Sequence, residues 1–263
     1  MFANAIDLLI TWGRAGLGWV FLGVGALGSL YFFWRKAEVE HYDLGAAFDA
    51  LLVAALSGVA GARLGYILLH PLEFGASPLK LLNIISYPGL WPATGFLAAF
   101  YALYRFANQN KLDWWEVWDF FVIALTWYLG WHWLSRLAVG AAAGTSTGLP
   151  WGMMFPNRLE PAHPVQLYAA AAFLILFAYL NWAETRYRFF FWYRSKKRTA
   201  KPGFLVSGFL IGWGLLQFAL SFVQPTFFLL PGGFELNQVL GFLIFLSGCA
   251  LLYLRSGRSI FSR

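Results

Sequence analysis

Residues 44–70 read LGAAFDALLVAALSGVAGARLGYILLH, twenty-seven positions with two charges, Asp49 near the start and Arg63 near the end. A run of ~20 mostly apolar residues matches the hydrocarbon thickness of a bilayer when helical. Strands of a membrane barrel need only about ten residues and alternate in polarity, so this length reads as a helix. The stretch therefore places the chain in the membrane. It also poses a question, because an arginine inside such a run is costly without a partner or a function.

Working outward, six further runs have the same character, near residues 13–34, 87–106, 116–143, 163–182, 203–223 and 238–255. The expected fold is all-α, a polytopic membrane protein of seven transmembrane helices forming a single integral membrane domain over 1–263. Composition agrees: 60% of the 263 residues are hydrophobic, 12% are charged and the mean hydropathy is +0.60. Soluble domains carry about 25% charged residues. Gly and Ala are frequent within the runs, as close helix packing in lipid favours. Met1–Thr11 lacks a basic start and no small-residue cleavage site follows, so the first run is expected to stay as an anchor. Cys249 is the single cysteine, which rules out an intrachain disulfide and any metal site built on several thiolates.

Lys and Arg placement sets orientation. Fourteen follow the first, third, fifth and seventh spans: Arg35, Lys36, Arg105, Lys111, Arg186, Arg188, Arg194, Lys196, Lys197, Arg198, Lys201, Arg255, Arg258 and Arg263. Three lie on the other side, Arg14, Lys80 and Arg158, and two within spans, Arg63 and Arg136. This asymmetry predicts an outside N-terminus and a cytoplasmic C-terminus. The segment 183–202 becomes a basic cytoplasmic loop facing anionic lipid, not a nucleic-acid site despite its interleaved aromatics. The Gly- and Pro-rich segment 144–162 becomes an outward loop.

With that orientation several polar residues fall at one depth. Arg63 lies in the outer third of the second span, with His70 seven residues on. His132 and Arg136, four apart, share a face at the outer end of the fourth span. His163, Gln166 and Tyr168 mark the outer start of the fifth. Guanidinium groups bind phosphate bidentately, and the anion available at that depth is a phospholipid head group. The expected site is a lipid phosphate site held by Arg63 and Arg136, with His132 as a base. Each residue also has a plainer reading. Arg63 and Arg136 would snorkel to the head groups, His132 would be a buried, hydrogen-bonded core histidine, and His163 would cap the fifth span. Asp49 and Asp119 read as interfacial.

The order of several stretches resembles the prolipoprotein diacylglyceryl transferase family. GARLGYILLH (61–70) is similar to the family's Gly-Gly-Arg-Ile/Leu-Gly-Tyr segment and carries Arg63, Gly65 and Tyr66. HPVQLYAAA (163–171) resembles its His-Pro-Ser-Gln-Leu-Tyr-Glu motif and carries His163, Gln166 and Tyr168. GFLVSGFLIGWG (203–214) and MMFP (153–156) fit as well. The resemblance implies a bacterial inner-membrane enzyme. It would move diacylglyceryl from phosphatidylglycerol to a prolipoprotein cysteine, without a cofactor. It implies Arg63, Tyr66, His163, Gln166 and Tyr168 as substrate-binding residues and Arg136 as a catalytic one; His132, one turn before Arg136, is expected to substitute as the catalytic base. The chain also departs from the family. Ala93 stands at the likely position of a histidine. In SRLAVGAAAG (135–144), Val139 and Ala142 replace two asparagines and Gly144 a glutamate. Ala169 replaces another glutamate, and Gln217 and Ser221 stand where an arginine and a glutamate are usual. A non-catalytic relative that binds phospholipid or a lipoprotein signal helix, and an unrelated seven-span transporter, are the alternatives.

Overall fold

A computed structural model describes residues 2–39, 43–74, 83, 89–156, 158–186, 201–226 and 228–255, with side chains in 2–12 and at 72–73 left aside. Most of the basic run 183–202, the start of the third expected span and the C-terminal arginines beyond Arg255 lie outside these residues. The described fold is all-helical: α1 (Phe2–Val39), α2 (Leu44–Leu69), a single turn α3 (Pro71–Phe74), α4 (Pro92–Gln109), α5 (Trp114–Ala138), α6 (Val165–Glu184), α7 (Phe204–Ser221) and α8 (Leu236–Arg255). The seven long helices correspond one to one with the seven runs. Residues Gly13–Val39 of α1, together with α2, α6, α7 and α8, are long and apolar enough to cross a membrane. In α4 and α5 the polar content is higher: Arg105 and Asn108 in one, Glu116, Asp119, His132 and Arg136 in the other. The chain is a polytopic membrane protein.

Helix ends follow local chemistry. Asp43 caps α2, its Oδ2 accepting from the Ala46 amide at 2.9 Å. Pro92 opens α4, a position where its missing N–H is not needed. Residues 89–91, just before it, are not helical. α5 stops at Ala138 and not near 143. Gly140 has φ +71° and Ala142 φ +63°, a left-handed backbone that ends a helix. His163 lies outside α6, which begins at Val165 after Pro164, so it is a loop residue beside the helix.

The chain forms two compact units, one of Phe33–Phe120 and one of Met1–Phe32 with Phe121–Arg263. In the first, α2 packs on α4 through small residues. Gly58, Gly61 and Gly65 share one face of α2, and a Cβ on Gly61 would lie 2.3 Å from the Ala98 Cβ. The same face seats Gly95, whose added Cβ would meet the Gly58 carbonyl at 2.7 Å. In lipid, such close backbone approach supplies the dispersion contact that drives helices together. Asp119 is buried here, which corrects its interfacial assignment; Asp49 is exposed.

In the second unit, α7 and α8 cross in the same manner. A Cβ on Gly241 would lie 2.6 Å from the Phe218 amide nitrogen, and one on Gly214 2.4 Å from that of Phe245. Because these contacts are to backbone, the helices must separate to admit a side chain. Gly241→Val is expected to cost about 1–3 kcal/mol, read as a lowered Tm in detergent. Ser29 Oγ donates to the Ala124 carbonyl at 2.8 Å and joins the C-terminal half of α1 to α5. Val165, Ala169 and Leu220 form a buried cluster at the start of α6, covered by Trp133, Tyr168, Leu216 and Val223.

Candidate functional site

The expected site residues divide between the two units. Arg63, Tyr66 and His70 belong to the first. His132, Arg136, His163, Gln166 and Tyr168 belong to the second.

In the first unit, Arg63 is 6% exposed and does not snorkel. Nη1 donates to the Gly89 carbonyl at 3.1 Å, and Nη2 reaches the Asn83 carbonyl at 3.5 Å. Its Cζ lies 4.8 Å from the centroid of the buried Phe74 ring, a cation–π contact that gains strength when desolvated. Tyr66 stacks on His70 with centroids 4.2 Å apart, and His70 Nδ1 lies 3.1 Å from the Tyr66 carbonyl oxygen. The Tyr66 ring also seats Gly89, where an added Cβ would come within 2.2 Å of it. The Trp91 amide donates to the Ala62 carbonyl at 2.9 Å. Arg63 and Tyr66 thus hold the approach to α4 against the end of α2.

The second unit carries the polar atoms with unused bonding capacity. On α5, Tyr128, His132 and Arg136 follow at four-residue spacing, hence along one face. Tyr128 and His132 stack with centroids 6.0 Å apart. His132 Nδ1, Arg136 Nε and Trp131 Nε1 are buried without a hydrogen-bond partner. His132 therefore differs from the satisfied core histidine of the plainer reading. Buried polar atoms are normally paired, and these three have bonding capacity left over.

Just beyond Arg136 the backbone turns back toward α6. The Ala141 amide donates to the Arg136 carbonyl at 2.9 Å, and Gln166 Nε2 donates to the Ala141 carbonyl at 2.6 Å. Gln166 is 0% exposed, and its Oε1 is a further orphan. It fixes the loop that follows Arg136 and leaves one acceptor over. Gln166→Leu strands the Ala141 carbonyl and is expected to cost about 1–3 kcal/mol, again measured as Tm in detergent.

The loop continues as a stitched strip. Gly144 donates to the His163 carbonyl at 2.9 Å, His163 to Thr145 at 3.0 Å, and Thr145 to Val223 at 2.8 Å. Tyr168 Oη accepts from Trp151 Nε1 at 2.9 Å and sits 3.5 Å from His163 Nδ1. Sequence reading missed Trp151; a lone Trp in a Gly- and Pro-rich loop is its only signal. Gly144 is enclosed: an added Cβ would lie 2.5 Å from the Val223 carbonyl oxygen, 2.7 Å from Val165 Cγ2 and 2.8 Å from His163 Cβ. Ala169 is buried in the apolar cluster, and Ser221 Oγ donates to its own helix at Phe218. Among the described residues, no group of three His, Cys, Asp or Glu is placed to hold a metal.

The family model described as prolipoprotein diacylglyceryl transferase matches residues 18–254. The phosphatidylglycerol–prolipoprotein diacylglyceryl transferase of Cupriavidus necator is 31% identical over 211 residues, 78% of this chain and 73% of that protein. The protein of the same name from Bordetella bronchiseptica is 31% identical over 220 residues, 80% of this chain and 78% of its own. That from Methylobacillus flagellatus is 30% identical over 223 residues, covering 83% and 80%.

Proposed function

Because this chain belongs to the prolipoprotein diacylglyceryl transferase family, we propose that it takes phosphatidylglycerol and a prolipoprotein as substrates in a bacterial inner membrane. Its N-terminus is outside, its C-terminus is in the cytoplasm and its seven long helices span a single membrane domain. The observation that supports this most is the orphan set on α5 and α6: Arg136 Nε, His132 Nδ1 and Gln166 Oε1, buried and unmatched. A lipid phosphate fits the arginine, with charge-assisted bonds stronger than neutral ones.

In the reaction, the cysteine sulfur of the lipobox forms a bond to the glycerol carbon that carries the phosphate. The carbon–oxygen bond to that phosphate breaks, and glycerol phosphate leaves. Arg136 stabilises the charge that builds on the leaving phosphate. His132 Nδ1 takes the thiol proton as general base. Gln166 holds the loop that fixes the end of α5, and His163 and Tyr168 line the substrate side. For Arg63 the Gly89 and Asn83 carbonyls favour a role in ordering the approach to α4. Lipid binding that survives in Arg63→Ala would remove it from the phosphate site.

A second reading, a non-catalytic relative that binds phospholipid or a signal helix, is favoured by Gly144 and Ala169. Both stand where the resemblance implies carboxylates, and both are enclosed by packing. One experiment separates the two. The purified protein is reconstituted with phosphatidylglycerol and a lipobox peptide, and the peptide is examined by mass spectrometry. A diacylglyceryl thioether supports the transferase; lipid binding without product leaves the binding protein.

A further inference from the structure

The loop between α5 and α6 is apolar on its outside. Leu159 is 98% exposed, Met154 61% and Trp151 56%, with Leu149 and Met153 also exposed. Exposed apolar groups gathered in one segment call for a covering phase. Their distance from α6 is fixed by hydrogen bonds. Met153 and Ala162 exchange both backbone bonds, at 2.9 and 3.0 Å, and Thr147 donates to Pro161 at 2.9 Å. These bonds fold the loop back to within a few residues of α6. Trp151 is tied more directly, through its indole N–H to the Tyr168 hydroxyl in the first turn of α6.

Since α6 is long and apolar enough to span, its first turn marks a membrane boundary. A Trp bonded to that turn sits at the depth where Trp is enriched in membrane proteins, with a polar end and an apolar body. We infer that the tip of this loop, centred on Trp151, Met154 and Leu159, lies in the head-group and upper acyl region of the bilayer as a monotopic anchor. The occupant of this face is phospholipid, because the tether sets the loop at lipid depth and makes it continuous with the spanning surface. Arg158, beside Leu159, suits an anionic head group. This inference is independent of catalysis.

The test uses the full chain in phosphatidylglycerol-containing vesicles, with Cys249 replaced by Ala. A polarity-sensitive fluorophore is attached at Leu159→Cys or, separately, at Met154→Cys; a label on native Cys249 is the deep reference. Lipids with a spin label at acyl carbon 5 are expected to quench both loop sites at least about twofold more than lipids labelled at carbon 12, as for a segment seated 5–10 Å deep. Aqueous iodide is expected to quench them weakly. Strong iodide quenching without lipid quenching places the loop in water and overturns the inference. Fluorescence that ignores the spin-labelled lipids but shifts on dilution of the protein among vesicles assigns the face to a second copy, and overturns it equally. Two separate sites keep the result readable if one substitution impairs folding.

Discussion

Arg136→Ala is expected to abolish both phosphatidylglycerol binding and thioether formation, with product falling roughly 100-fold or more. The guanidinium is the cation of the orphan set on α5, and its Nε is buried without a partner. Alanine removes the charge and leaves the space, so the helix should persist. Arg136→Lys is expected to recover part of the binding and less of the rate. An ammonium keeps the charge but loses the planar, bidentate donor geometry. Native mass spectrometry of bound lipid and product analysis of the peptide give the two readouts. Full lipid binding by Arg136→Ala would disprove the phosphate assignment. Intact binding with lost product would move Arg136 from binding to the chemical step. His132→Ala, by contrast, is expected to spare lipid binding and lower product only.

Gly144→Glu is expected to unfold the second unit and not to create activity. The substitution restores the residue type that the family resemblance implies at this place. Here a Cβ would meet the Val223 carbonyl oxygen at 2.5 Å, with Val165 and His163 closing the other sides. Overpacking of a filled site costs about 1–3 kcal/mol, and a carboxylate forced against a carbonyl oxygen adds repulsion and desolvation. The three-way stitch of Gly144, Thr145 and His163 with Val223 would have to open. The expected result is a large loss of monodisperse protein and a lower Tm. Gly144→Ala, with the same Cβ and no charge, should show the steric part alone. A stable Gly144→Glu protein with raised product yield would show that the junction is plastic, and would favour the transferase over the binding protein.

The long helices were legible in the sequence because the bilayer imposes a length and an apolar composition, and both are visible residue by residue. α2 is the clearest case: Leu44–Leu69 differs from the expected run by one residue. α5 was harder. Its apolar periodicity runs on past Ala138, and the stop depends on backbone turns at Gly140 and Ala142 that no composition shows. The site was legible as residue types but not as bonds. Gln166 stands in a motif, yet its bond to the Ala141 carbonyl joins positions 25 apart through a backbone atom, which side-chain patterns cannot reveal. The same holds for Arg63. Depth and charge pointed to an anion, and its bonds to the Gly89 and Asn83 carbonyl oxygens are again to backbone atoms. His132 reverses the usual expectation, since its burial comes without a bond at Nδ1.

The Arg63 contacts also bear on how the chain is made. An arginine at the centre of a spanning helix opposes insertion by about 2.5–3.5 kcal/mol on translocon scales, and one nearer the end, as Arg63 is, by less. The carbonyls that receive it lie 20 and 26 residues downstream, so they reach the membrane after α2 does. During synthesis α2 must wait with its charge at the membrane edge until the segment before α4 arrives. The two helices then settle together, with the glycine face of one closing on the other. The two are thereby coupled: α2 is complete only once Asn83 and Gly89 have followed it into the membrane.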